Sequence, residues 1–246
     1  KDDFIGQVVS FYKNTISSVR DIELSRNVEG ISHKHIVSYA SYSPWVDDPE
    51  FQNLYELISG HTIVDLYRCY ELYSWITKNK HIQGDILEVG VWKGGTGCLL
   101  AAALKKVSPE AKIFLVDTFK GVVKAGGNDS IYKGGEHSDT TINEVLLLIS
   151  RMGLRNVQVI EGTYPDEVLI AGIEKLRFCH IDVDTYQSAK DVFMQVWPFI
   201  TKGGCVIFDD YGFWGCEGVT TLCNELDLVD GVFIYNLNGH ALLIKI

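Results

Sequence analysis

GDILEVGVWKGGTG, residues 84–97, is the stretch whose reading decides the fold. It opens with Asp85 and runs through Ile86, Leu87, Val89 and Val91, an apolar and partly β-branched run of strand length. The run breaks at Gly90, and Gly94, Gly95 and Gly97 lead into CLLAAALKK, a strong helix former. Strand, glycine turn and helix together let a backbone approach an anionic or polar ligand at a helix N-terminus. Glu88 speaks against a phosphate there. A carboxylate beside the loop repels pyrophosphate but suits an amino group or a ribose hydroxyl. The spacing GxxxGGxG also differs from the GxGxxG of dinucleotide binders. It reads as a nucleoside site of another kind.

Downstream the pattern alternates. Strand-like KIFLVDT (112–118), VQVIEG (157–162), LRFCHIDV (176–183) and GCVIFDD (204–210) are separated by helical stretches. Those helices fall at 95–106, across TINEVLLLISRMG, near 165–174, over 187–199 and near 216–226. A Gly-rich polar insertion, KGVVKAGGNDSIYKGGEH, follows the second strand. VFIYNL and HALLIKI are joined near Asn238-Gly239, a strong hairpin signal. Parallel strands need helical crossovers. The chain therefore predicts an α/β fold: a doubly wound, mostly parallel seven-stranded sheet closed by a C-terminal antiparallel hairpin.

Upstream, Phe4, Ile5, Val8, Val9, Tyr12, Ile16 and Val19 stand at helix spacing and predict a helix over residues 4–24. Residues 30–50 are rich in aromatics, histidine and turn formers without a period, and read either as a lid or as a surface-packed connector. Thr62 with Asp65 resembles a capping box starting a helix through DLYRCYELYSWITKN. Its tyrosines, Leu66 and Ile76 form an apolar stripe suited to a core or a dimer surface. The expected division is a helical or lid extension over 1–61 and one domain over 62–246.

Composition narrows the class. The 246 residues suffice for a sizeable core, and 46% hydrophobic with 22% charged residues is ordinary for a globular protein. A formal charge of −10 argues against nucleic acid or an anionic membrane as partner. No apolar run approaches the roughly 18 residues of a spanning helix. The six cysteines include no CxxC pair, as expected for reduced, structural thiols in a cytoplasmic protein. KDDFIGQ has no signal-peptide pattern, and the absence of a starting Met points to a segment removed upstream.

Ligands of open α/β sheets bind outside the carboxyl ends of the strands. Here those ends read Glu88-Val89-Gly90-Val91, Asp117-Thr118, Glu161-Gly162, Asp182-Val183-Asp184 and Asp209-Asp210-Tyr211. Like charges gathered at one sheet edge repel, so they call for cations or hydroxyl donors. Asp117 stands where an acidic residue accepts both hydroxyls of a ribose, the alternative being a helix cap. Asp182, Asp209 and Asp210 form an all-oxygen set suited to Mg²⁺ or another hard divalent cation rather than zinc. One of them could be a helix cap, but three together are poorly explained that way. Asp184 alternates to the opposite face if its strand continues.

In this order GDILEVGVWKGGTG, IFLVDTFKG, EGTYPDE, HIDVDTYQSAKDV and GGCVIFDDYGFWGCEGV resemble the macrocin-type O-methyltransferase family over about residues 62–226. That resemblance implies a Rossmann-like class I enzyme using S-adenosyl-L-methionine and a divalent metal. It implies that the turn of Glu88, Gly90 and Val91 with Gly94 and Gly95 holds the methionine part. Asp117 with Thr118 would hold the ribose, and Glu161-Gly162 would line the adenine. Asp182, Asp209 and Asp210 would hold Mg²⁺ against a small hydroxylated acceptor, a sugar of a natural product or glycan. Catechol methyltransferases place a lysine where this chain has Thr185, so the base is open among Asp182, Asp184 and His137. Tyr211, Phe213 and Trp214 could wall the acceptor pocket or serve as core aromatics of a βα loop. The chain lacks the basic residues that follow the family's DDY.

Two rival readings remain: a nicotinamide oxidoreductase on the same architecture, and a non-catalytic module that keeps the nucleoside pocket. The missing GxGxxG and the metal-type aspartates count against the first, and the intact aspartate trio against the second. A homo-oligomer is compatible with the aromatic N-terminal helices.

Overall fold

Within the stretch 30–50, expected to be irregular, Ile31–Lys34 (β2) pairs antiparallel with Ser25–Val28 (β1). Gly30, at φ +82°, supplies the left-handed turn between them. The computed structural model describes residues 6, 7, 10, 11, 13–15, 25–28, 30–34, 42–236 and 238–246. Residues 6, 7, 10, 11 and 13–15 are helical; the rest of the helix expected over 4–24 lies outside the described residues. The chain divides into two units, residues 1–44 and 45–246, and the second carries everything that follows.

Pro49–Ile58 (α1) starts at Asp48, whose Oδ1 accepts from Phe51 N at 2.9 Å, with Pro49 preset for the first turn. Leu66–Lys78 (α2) is capped by Asp65, not by Thr62 as the capping-box reading had it. Asp65 Oδ1 accepts from Tyr67 N at 2.8 Å and Arg68 N at 3.1 Å. Thr62 Oγ1 instead closes a short turn onto Val64 N. A carboxylate within reach of two orphan N–H groups outcompetes a hydroxyl placed three residues too early.

Asp85–Val89 (β3), Gly95–Val107 (α3), Ile113–Asp117 (β4), Ile142–Arg151 (α4), Val157–Glu161 (β5), Leu176–Ile181 (β6), Tyr186–Val196 (α5), Ile200–Phe208 (β7) and Glu217–Glu225 (α6) follow in turn. Gly231–Tyr235 (β8) and Ala241–Lys245 (β9) close the sheet. No helix forms near 165–174. Gly172, at φ +86°, takes a backbone no helix allows, and the segment is a series of turns.

The sheet order is β5-β4-β3-β6-β7-β9-β8. Its first five strands are parallel, and β9 enters antiparallel between β7 and β8. The seven-stranded, mostly parallel sheet with its C-terminal hairpin is thus as expected. Side chains alternate between two cores. Ile86, Phe178, Ile207 and Leu242 pack under α1 to α4, while Leu87, Cys179, Phe208 and Leu243 pack under α5 and α6. All six cysteines are buried, unpaired thiols. Among the described residues no helix is long and apolar enough to cross a membrane.

Candidate active site

Chain order reverses between β3 and β6, and beyond the carboxyl ends of these strands lies a cavity of about 320 Å³. Asp117, Asp182, Asp184, Asp209 and Asp210 all line it.

The glycine turn is built for close approach. Gly90 has φ +88°, and a Cβ there would fall 1.6 Å from the carbonyl oxygen of Asp182, so only glycine lets β3 pass the end of β6. Gly95 N donates to His61 O at 2.9 Å, joining the start of α3 to the segment before α2. Asp117 organises the turn from β4. Its Oδ2 accepts from Val91 N (2.6 Å) and Trp92 N (2.8 Å), and its Oδ1 from Phe119 N (2.7 Å). Of the residues expected at a cofactor, Gly90, Val91, Asp117, Thr118 and Gly162 line the cavity. Glu88, Gly94, Gly95 and Glu161 do not: Glu88 is fully buried against His180, and Gly94 packs on Val145.

The acidic edge is asymmetric. Asp182, Asp209 and Asp210 each bring an oxygen within 4.8 Å of the others. Asp209 is held by three partners: Oδ2 pairs with the Arg68 guanidinium, and Oδ1 lies 2.9 Å from His240 Nε2 and 3.3 Å from His180 Nε2. Burial pushes its carboxyl up, but hydrogen bonds from His180 and His240 and the charge of Arg68 outweigh it and hold it below the usual range. Burial also works against His180, yet bonds to Asp209 and Glu88 raise it to about 10. Asp182 and Asp210 go the other way. Burial and the neighbouring carboxylates hold both well above the usual value, and Asp210 Oδ2 is buried with no hydrogen-bond partner in the protein.

Asp184 does not follow the alternation that would turn it away. β6 stops at Ile181, and Asp184 takes φ +63°, which brings it onto the same cavity wall as Asp182. Burial raises its carboxyl, and the Tyr132 hydroxyl hydrogen-bonds to it. Tyr132 and His137 come from the insertion after β4, which is well anchored. Asp129, nearly fully buried, accepts from Gly126 N (2.8 Å) and Tyr186 N (2.9 Å), and Lys124 pairs with Asp166 and Asp191. Thr185 is buried and donates to Val123 O, so it offers no base. Among the described residues no lysine lines the cavity. Phe213 and Trp214 do, Phe213 with the Arg68 guanidinium 4.3 Å over its ring, whereas Tyr211 packs against Phe233 and Tyr235. Sequence reasoning missed Arg68, Glu71, Tyr132, His180 and His240.

Residues 50–228 match the model of the family described as Macrocin-O-methyltransferase (TylF). The chain belongs to the TylF family. It is a methyltransferase, and the transfer is to oxygen. It is 29% identical over 173 residues to mycinamicin III 3''-O-methyltransferase of Micromonospora griseorubida, covering 64% of this chain and 68% of that protein. It is 26% identical over 167 residues to demethyldecarbamoylnovobiocin O-methyltransferase of Streptomyces niveus, covering 62% and 63%. The match thus spans about two thirds of these TylF-like relatives. Among solved structures, the O-methyltransferase NovP superposes with a TM-score of 0.65 at 23% identity, covering 75% of this chain and 82% of that one. The calicheamicin methyltransferase CalS11 gives 0.57 at 18%, covering 85% and 99%. At these identities the likeness speaks for the fold.

Proposed function

We propose that this TylF-family chain transfers a methyl group from S-adenosylmethionine to a sugar hydroxyl of a natural product or glycan, with a divalent cation, Mg²⁺ or a similarly hard ion, at its acidic edge. The observation that carries the reading is the buried, unpartnered Asp210 Oδ2 among the oxygens of Asp182 and Asp209, beside the glycine turn. Hard oxygen donors, two of them held in the protonated direction by burial and by one another, fit such an ion. The residues present also fit a nucleoside. Gly90 leaves room at the turn, and Asp117 keeps acceptor capacity on Oδ1 beyond its bond to Phe119 N.

Asp182, Asp209 and Asp210 would hold the cation. When bound, it lowers the pKa of the acceptor hydroxyl and fixes its orientation. Asp184 receives the hydroxyl proton. Its buried carboxyl has a raised affinity for protons, and the Tyr132 hydroxyl holds it in place. S-adenosylmethionine, when bound, would supply the methyl group: the acceptor O–CH₃ bond would form as the S–CH₃ bond breaks, leaving an ether, a neutral thioether and a protonated Asp184. His137 and Tyr132 line the cavity from the insertion 119–139, which would set acceptor choice. The relatives named above act on natural products, which supports a hydroxylated acceptor of that kind.

The test is calorimetric titration of EDTA-treated protein with S-adenosylhomocysteine and, separately, NADH, each with and without Mg²⁺. Binding of the first alone is expected. Binding of NADH instead overturns the reading in favour of an oxidoreductase.

A further inference from the structure

Behind the cavity wall, Glu88, His180, Asp209, His240 and Glu71 form an unbroken chain of contacts, buried except at Glu71, whose outer members the proposed reaction does not use. Successive contacts are 2.9 Å (Glu88 Oε1 to His180 Nδ1), 3.3 Å (His180 Nε2 to Asp209 Oδ1), 2.9 Å (Asp209 Oδ1 to His240 Nε2) and 2.6 Å (His240 Nδ1 to Glu71 Oε2). Both imidazoles are fully buried. Glu88 and His180 face each other in register on adjoining strands β3 and β6. Glu71, on α2, also accepts from Asn236 Nδ2 at 2.7 and 2.9 Å, which ties the far end of the chain to the turn between β8 and β9.

Toward Asp209 the direction of these bonds follows from its chemistry: a carboxylate held ionised only accepts, so each imidazole meets it with an Nε2–H. His180 and His240 therefore have one role toward Asp209: to donate. With Arg68 on Oδ2, three donors from β6, the start of β9 and α2 converge on one carboxylate and remove its freedom to rotate. Asp210, with Oδ2 unpartnered, has no such cradle.

We propose that His180 and His240 are positioning residues which, anchored on Glu88 and Glu71, fix Asp209 in the orientation that presents its remaining lone pairs to the divalent cation. This rests on the metal-dependent reading above. A ligand held rigid before binding loses little freedom on binding, and hydrogen-bond partners of metal ligands commonly set affinity by about 10–100-fold.

The test measures Mn²⁺ binding to the whole chain by electron paramagnetic resonance, with S-adenosylhomocysteine affinity by calorimetry on the same samples. His240→Ala is the direct variant. Glu71→Ala, at the partly exposed end of the chain, is the variant least exposed to misfolding and decides the matter if His240→Ala does not fold. Each is expected to weaken Mn²⁺ binding about tenfold while leaving the nucleoside affinity within about twofold. Glu71→Gln keeps an acceptor for Nδ1–H and should recover most of the loss. A purely structural role would leave Mn²⁺ affinity of the folded variants unchanged, and that result overturns the inference. A wild-type protein that binds the nucleoside but no Mn²⁺ overturns the metal reading itself, and this inference with it.

Discussion

Arg68 on α2 and Asp209 at the end of β7 form a buried ion pair across 141 residues of sequence. Asp65 holds the same guanidinium through Nε at 2.8 Å, so the residue that caps α2 also aims its arginine. Removing one partner of a buried pair leaves the other uncompensated, at about 3–5 kcal/mol. Arg68→Met is expected near the lower end, about 3 kcal/mol in urea unfolding, because His180 and His240 still face Asp209. A loss under about 1 kcal/mol would mean that the histidines alone compensate it.

Asp209→Asn and Asp210→Asn should part company. Both remove a carboxylate from the acidic edge and are expected to lower turnover by about 100-fold or more. Asp209→Asn also takes away the anion on which three donors converge, so its melting temperature should fall. Asp210→Asn removes a carboxyl whose charged form burial and the neighbouring carboxylates disfavour, so the metal-free protein should keep or gain stability. Melting curves with EDTA decide; the opposite ranking would contradict the asymmetry described for the two carboxylates.

Stability of the metal-free protein should carry a pH signature. Asp182 and Asp210 are held above 3.8 by burial and by their neighbours, so the folded state binds their protons more tightly than the unfolded chain. Their contribution favours folding at low pH and is lost as pH rises through the raised values; Asp209, held low, contributes above its unfolded pKa and loses this as pH falls. Divalent cation relieves the first effect only where the carboxyls are ionised. Mg²⁺ should therefore raise the melting temperature more at about pH 8 than at about pH 5.5. Equal shifts at both would speak against a cation between these carboxylates.

Gly90→Ala should be among the most damaging single changes, since its Cβ would meet the Asp182 carbonyl at 1.6 Å on a backbone at φ +88°. We expect loss of more than about 3 kcal/mol or failure to fold. Gly127→Ala, with nothing within 4 Å, should fall within about 0.5 kcal/mol of wild type. Similar melting temperatures for the two would disprove the close approach of β3 and β6.

The sequence disclosed the acidic edge because its logic is local. Apolar runs mark where parallel strands end, and parallel strands end together, so Asp117, Asp182, Asp209 and Asp210 could be gathered from strand tips alone. Asp184 resisted because alternation holds only while a strand continues, and β6 ends at Ile181. The donors to Asp209 stayed hidden for another reason. Arg68 and Glu71 sit in a tyrosine-rich amphipathic helix, where charged side chains ordinarily face water, and Glu71 lies 169 residues from His240. One signal was available. Glu88 and His180 each interrupt an apolar strand, and parallel pairing of those strands sets them opposite one another. The turns at 165–174 and the hairpin at 25–34 depended on Gly172 and Gly30 taking left-handed backbone, which composition alone does not reveal.

The place of β9 between β7 and β8 has a consequence for how the protein is made. As the chain emerges from the ribosome, β7 appears well before the strand that pairs with its outer edge. Until residues 240–245 are synthesised, that edge is unpaired and Asp209 lacks the imidazole of His240. A nascent chain can form its glycine turn and inner strands early, but it cannot finish its acidic edge. Completion of the acidic edge thus waits on residues 240–245, and an apolar strand edge stands open until they are made.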